Sequence, residues 1–123
     1  MVEIRRGLED GVDVSKYADS KFDYSQMFAI RDGLVQGLDI SKYADPKFNA
    51  YQMHEIRVGL EEGLDVSIYA NPEYNEDQMY EILLGLREGL DVSAYADHKF
   101  DNFQMQQIRE DLEQTLKQNK KRE

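Results

Sequence analysis

The side chains in this sequence whose type and spacing invite a chemical reading are four serines, four arginines and two histidines. Ser15, Ser41, Ser67 and Ser93 recur at a fixed interval, as a row of nucleophiles would. A hydroxyl nucleophile needs a base within hydrogen-bond reach, and His54 and His98 are the only histidines in the chain. Two imidazoles cannot serve four hydroxyls, so turn-forming roles account better for the serines. Neither histidine has a Cys or His partner at ligand spacing, which speaks against zinc. Arg5, Arg31, Arg57 and Arg109 share a row that would suit an anion, but Leu83 interrupts it. Each Arg is expected instead to pair with an acidic side chain or carbonyl of a neighbouring segment. The acidic stretch from Glu9 to Ser15 lacks the alternating carboxylates and final Glu of a calcium loop. Gly7 and Gly11, with their copies, spell G-x-x-x-G, which drives membrane helix pairing only inside an apolar stretch of about 20 residues. No such stretch surrounds them, so close packing of soluble helices is expected. No catalytic residue, metal ligand or cofactor is assigned on this basis.

Composition narrows the class further. The chain has 123 residues, 25 acidic against 15 basic, a net charge of −10 and no cysteine. That length suits one domain. Zero cysteines exclude disulfides and thiol chemistry, and the acidity disfavours nucleic acid and anionic membranes as partners. No segment resembles a membrane span or a signal peptide, so the expected location is cytoplasmic. A charged fraction of 33% leans towards disorder, whereas 41% apolar residues suffice for a core if they are patterned.

The pattern is a repeat. Met1, Met27, Met53, Met79 and Met105 stand 26 residues apart. All eight glycines fall in two columns, Gly7/Gly33/Gly59/Gly85 and Gly11/Gly37/Gly63/Gly89, and Pro46 and Pro72 share a third. Units of about 1–22 (partial), 23–48, 49–74, 75–100 and 101–123 follow from that register.

Within a unit, Asp23, Asn49, Asn75 and Asp101 lie three residues before Gln26, Gln52, Gln78 and Gln104, the spacing of a capping box. An aromatic residue precedes each cap (Phe22, Phe48, Tyr74, Phe100), and the methionine stands where a hydrophobic staple would meet it. Apolar residues then continue at helical spacing through Met27, Ile30 and Leu34 to Gly37, a left-handed C′ glycine followed by apolar Leu38. The spacing predicts a first helix of about 13 residues. Asp39 or Asp65 opens a short second helix, and Ala44-Asp45-Pro46 stops it. Neither helix buries its apolar side alone, so the expected fold is all-α, an α-solenoid of stacked long-helix/short-helix pairs. The fifth copy keeps Met105, Ile108, Leu112 and Leu116 but replaces the glycines by Asp111 and Thr115 and ends in a basic run, as a C-terminal cap would. The lost glycines are expected to be those a following unit needs for close approach.

The unit QMxxIRxGLxxGLDVSxYADPxF resembles a tandem helical repeat of uncharacterised function that recurs in large proteins of Gram-positive gut bacteria, often ones associated with mobile genetic elements. The resemblance runs through the Met, Ile-Arg, paired glycine, Leu-Asp-Val-Ser and Tyr-Ala columns, with departures at Leu83, Ser20 and His98. It implies a repeat module and carries no catalytic residues.

On a helical wheel at about 100° per residue, the columns that stay constant occupy one face, and the varying columns 24, 25, 28, 29, 32, 35 and 36 occupy the other. The drifting face carries Tyr24, Phe28, Tyr51, His54, Val58, Tyr80, Leu84 and Phe103, larger and more apolar than solvent requires. A contiguous apolar strip with an acidic rim marks a partner site. The leading functional expectation is a scaffold binding a protein or peptide within a larger protein, and the alternative is a structural spacer or a module that binds a second copy of itself. An enzyme ranks third, since no column pairs a nucleophile with a base. If contacts run only between neighbours, deleting one internal 26-residue unit leaves a folded, less stable chain, read by helical circular dichroism and a urea melt. Complete unfolding would show a single global core.

Overall fold

The computed structural model describes residues 21–122, with side chains described through residue 118. The expectations for Met1, Arg5, Gly7, Gly11 and Ser15 lie outside the described residues. Four α-helices follow in order: α1 Tyr24–Val35, α2 Ala50–Glu61, α3 Glu76–Arg87 and α4 Asn102–Arg122. No strand occurs among the described residues, and each helix packs on the next in sequence, α1 on α2, α2 on α3 and α3 on α4.

Both helix ends form as their residues dictate. Asp23, Asn49 and Asn75 accept from the backbone of Gln26, Gln52 and Gln78 while each Gln side chain accepts from the cap's own N–H, all at 2.8 Å. Asp101 and Gln104 repeat the exchange at the start of α4. At the other end Gly37 takes φ +74°, its N–H donates to Leu34 and the N–H of Leu38 donates to Gly33, a Schellman closure. The glycine is required there because a side chain at positive φ meets its own backbone. In α4 that column is Thr115, and the helix runs on to 21 residues.

The expected second helix is a correction. Only three residues, Ile40–Lys42, Val66–Ile68 and Val92–Ala94, form it, and they are 3-10 turns. Asp39 caps the first, accepting from the backbone N–H of Ser41 at 3.2 Å and from its hydroxyl at 2.5 Å. Those bonds hold the exposed Asp39 carboxyl below its ordinary range. They also occupy the serine in a turn.

The first glycine column likewise serves a contact other than the one expected. A Cβ on Gly33 would stand 2.0 Å from the Tyr43 hydroxyl and 2.8 Å from Ile40, both in the turn that follows its own helix rather than in the next unit. Tyr43 is fully buried and its hydroxyl donates to the carbonyl of Ala29 at 2.8 Å. Tyr69 donates to Glu55 and Tyr95 to Glu81 in the same way, across Gly59 and Gly85. Burial pushes all three phenols well above their ordinary value, so they remain donors throughout the physiological range.

The next helix is joined by the capping glutamine. Gln26 Nε2 donates to the carbonyls of Pro46 (3.3 Å) and Phe48 (2.7 Å), the turn that leads into α2. Gln52 and Gln78 do the same to Pro72 and Tyr74 and to His98 and Phe100. Phe22, Phe48, Tyr74, Met27, Met53, Met79, Met105 and the isoleucines Ile30, Ile56 and Ile82 complete one continuous core.

Gly59→Ala is therefore expected to cost about 1–3 kcal/mol by overpacking. Tyr69→Phe should cost about 1 kcal/mol for the lost hydrogen bond. Because the new methyl meets that hydroxyl, the double variant should fall short of the sum by at least about 0.5 kcal/mol in denaturant melts. Strict additivity would show that the two groups do not touch.

Candidate interaction face

The varying columns come to the surface largely as the wheel places them. Tyr51 and Phe103 are 71% and 75% exposed, Tyr24 55%, Tyr80 46% and Phe28 38%. His54 is exposed as well. Val58 and Leu84 depart from the expectation: both are half-buried, and Val58 packs against the core. On the wheel their column lies at about 80°, well inside the varying arc, so helix packing reaches into that face rather than stopping at its edge. Column 29 departs more strongly, since Ala29 and Glu81 are buried and Glu55 is half-buried. The packing of each helix on the next covers more of its circumference than the constant columns alone mark out.

Four of the eight expected residues converge. Tyr24, Phe28, Tyr51 and His54 line an open groove of about 660 Å³ between the N-terminal halves of α1 and α2. Ala29, Asn49 and Arg57 also face it. Val58, Tyr80, Leu84 and Phe103 lie outside this groove.

The arginine row is mainly ionic packing, but the expected acid on a neighbouring segment is met at Arg109, whereas Arg57 takes Glu61 of its own helix. Arg109 Nε donates to Glu81 Oε2 at 2.8 Å, reaching back from α4 to α3, and a second bond joins Arg109 Nη1 to Glu113. Arg57 Nη1 meets Glu61 Oε1 at 2.5 Å, and its Nη2 lies 2.9 Å from His54 Nδ1, which accepts there in the neutral ring. Arg31 lies beside Asp32 at 3.3 Å and over the Phe28 ring, 5.1 Å from its centre. Where the row lacks its Arg, Leu83 is 1% exposed. A further ion pair escaped the sequence reading: Arg87 holds Glu62 through Nε and Nη2, both at 2.7 Å. That bidentate contact keeps the exposed Glu62 carboxyl below its ordinary range. Both partners lie in varying columns, so no repeated spacing announces them.

Among the described residues no three His, Cys, Asp or Glu side chains gather as a metal-binding group. No helix among them is long and apolar enough to cross a membrane. The serine hydroxyls of Ser41, Ser67 and Ser93 all donate to their turn aspartates. Comparison with family models, curated proteins and solved structures finds no match to this chain.

Glu55 supplies a pH test of the packing. Burial raises its carboxyl above the ordinary value; Asp77 and Glu76 add to the rise, and Arg87 opposes it. The folded chain thus holds this proton more tightly than the unfolded chain. The contribution of this group to stability is fully present below the ordinary carboxylate pKa and is lost as pH rises through the raised folded value. Glu55→Gln removes that decline, so its melting temperature should gain on the parent between about pH 3 and about pH 7. A constant difference across that range would place Glu55 in free solvent.

Proposed function

We propose that the chain is a protein- or peptide-binding helical module, an α-solenoid built from 26-residue units near 23–48, 49–74 and 75–100, and that it catalyses no reaction. The observation that carries this reading is the exposure of Tyr24, Phe28, Tyr51, Tyr80 and Phe103 on one set of columns while the constant columns are spent on the core. Aromatic side chains left in water on a rigid frame are the usual anchors of an interface. The stacking of α1 to α4 in sequence order and the resemblance to a tandem bacterial repeat support the modular part. Ionisable groups support the non-catalytic part, since the serines and arginines are engaged in turns and ion pairs. With a net charge of −10, the partner is a protein or peptide rather than nucleic acid, and a neutral or basic one rather than a second copy.

Replacing Phe28, Tyr51 and Tyr80 together by Ser tests this. Helical content should stay unchanged and stability should shift by no more than about 0.5 kcal/mol per site. Capture of a partner from source lysate should drop at least tenfold relative to the parent chain. Equal capture by both chains would remove the face, and concentration-dependent sedimentation of the parent alone would identify the partner as the chain itself.

A further inference from the structure

Two columns stand 28 residues apart, and the three pairs that they give among the described residues differ. Glu81 faces Arg109, and the carboxylate takes the Nε–H at 2.8 Å. The equivalent pair one unit earlier is Glu55 with Leu83, where the column of Arg109 carries no arginine. The equivalent pair two units earlier is Ala29 with Arg57, both lining one groove, and here column 29 carries no acid.

The third pair leaves a visible defect. Arg57 is held as Arg109 is, by a carboxylate one turn ahead, Glu61 in one case and Glu113 in the other. Its Nη2 is taken by His54. Its Nε is buried and has no hydrogen-bond partner, alone in this among the buried side-chain nitrogens and oxygens described. A buried donor without an acceptor costs about 1–3 kcal/mol, more when the group is charged. The acceptor is missing because Ala29 ends at Cβ, where Glu81 carries a carboxylate to the equivalent Nε. Ala29 and Arg57 both line the groove, together with Tyr24, Phe28 and Tyr51.

We infer that this groove receives an acidic side chain, Asp or Glu, from a peptide segment of the partner protein, with apolar residues on either side of it. The partner's carboxylate completes the pair that Ala29 leaves open, and the flanking residues cover the exposed rings. This rests on the protein-binding reading above and adds the chemistry of what is bound. Charge complementarity selects the occupant. The chain as a whole repels anions, so a second copy is a poor fit, whereas a single carboxylate on an otherwise neutral or basic segment finds an unpaired guanidinium N–H. Tyr80 and Phe103 are further exposed rings on the same columns outside the groove, surface that a small carboxylic acid in the groove would leave uncovered. Because the Nε is closed to water, a side chain lining the groove must move to admit the ligand.

The test uses the full chain, labelled with nitrogen-15, and two blocked peptides, Lys-Phe-Glu-Phe-Lys and its Gln counterpart. The Glu peptide should shift the Arg57 Nε–H resonance saturably, and the Gln peptide should bind at least tenfold more weakly. Ala29→Glu should fill the position from within, raise the melting temperature and abolish the shift. Should Ala29→Glu not fold, Arg57→Lys serves, since it keeps the charge, loses the Nε–H and should level the two peptides. Equal binding of both peptides to the parent chain, or an Arg57 resonance that never moves, overturns the inference. If the ring signals of Tyr80 and Phe103 respond to both peptides while Arg57 stays still, the interaction face stands and only its carboxylate chemistry falls. Binding of 3-phenylpropionate as tightly as the Glu peptide would overturn the assignment to a protein segment.

Discussion

The structure depends on the absence of a Cβ at Gly33, Gly59 and Gly85. Only there can a tyrosine hydroxyl reach a helix carbonyl ten or more residues behind it, as Tyr43 reaches Ala29 and Tyr69 reaches Glu55. That contact folds the short turn back along its own helix and buries a ring that otherwise would stand in water. A buried phenol tolerates no unpaired hydroxyl, so the glycine and the hydrogen bond form one requirement. With the turn fixed, the chain arrives at the next cap in a defined place.

The capping glutamine then passes the register forward. Its Oε1 closes its own helix start, and its Nε2 reads two carbonyls of the turn that leads to the following helix. One buried amide thus satisfies local and tertiary groups together, and three such amides, Gln26, Gln52 and Gln78, link helices that share few other polar contacts. An Asp or Ser at that column could cap but could not reach the next turn. Apolar packing around the methionine and isoleucine columns adds area to this frame without specifying where each turn must sit.

Against that regular frame, the ionic contacts vary from one helix pair to the next. Glu81 and Arg109 make a complete pair, the column that would give Glu55 an arginine holds Leu83, and the column that would give Arg57 Nε a carboxylate holds Ala29, leaving Arg57 with Glu61 of its own helix. Such variation is tolerated because the Gly–Tyr and Gln contacts hold the helices in place regardless. It also gives each helix pair a surface of its own, which a row of identical units would lack. Around Arg57 that individuality takes the form of a groove lined by exposed Phe28 and Tyr51.

The sequence by itself determined the helix punctuation. Asp23 with Gln26 and Gly37 with Leu38 act within a few residues of each other, so their spacing alone specifies the bonds they make. The all-helical class and the split between packed and drifting columns were legible for the same reason, and so was the exposure of Tyr24, Phe28, Tyr51, Tyr80 and Phe103. Tertiary structure alone decided that the short helices expected after Asp39, Asp65 and Asp91 are three-residue 3-10 turns, that Gly33 makes room for Tyr43, and that Val58 and Leu84 are half-covered. One trace of the Gly–Tyr contact was present, since the fifth copy loses both partners together, to Asp111 and Lys121. The meeting of column 29 with an arginine 28 residues later had no such trace. It depends on how one helix is rotated against the next, and that rotation is set by packing around the whole circumference rather than by any local spacing.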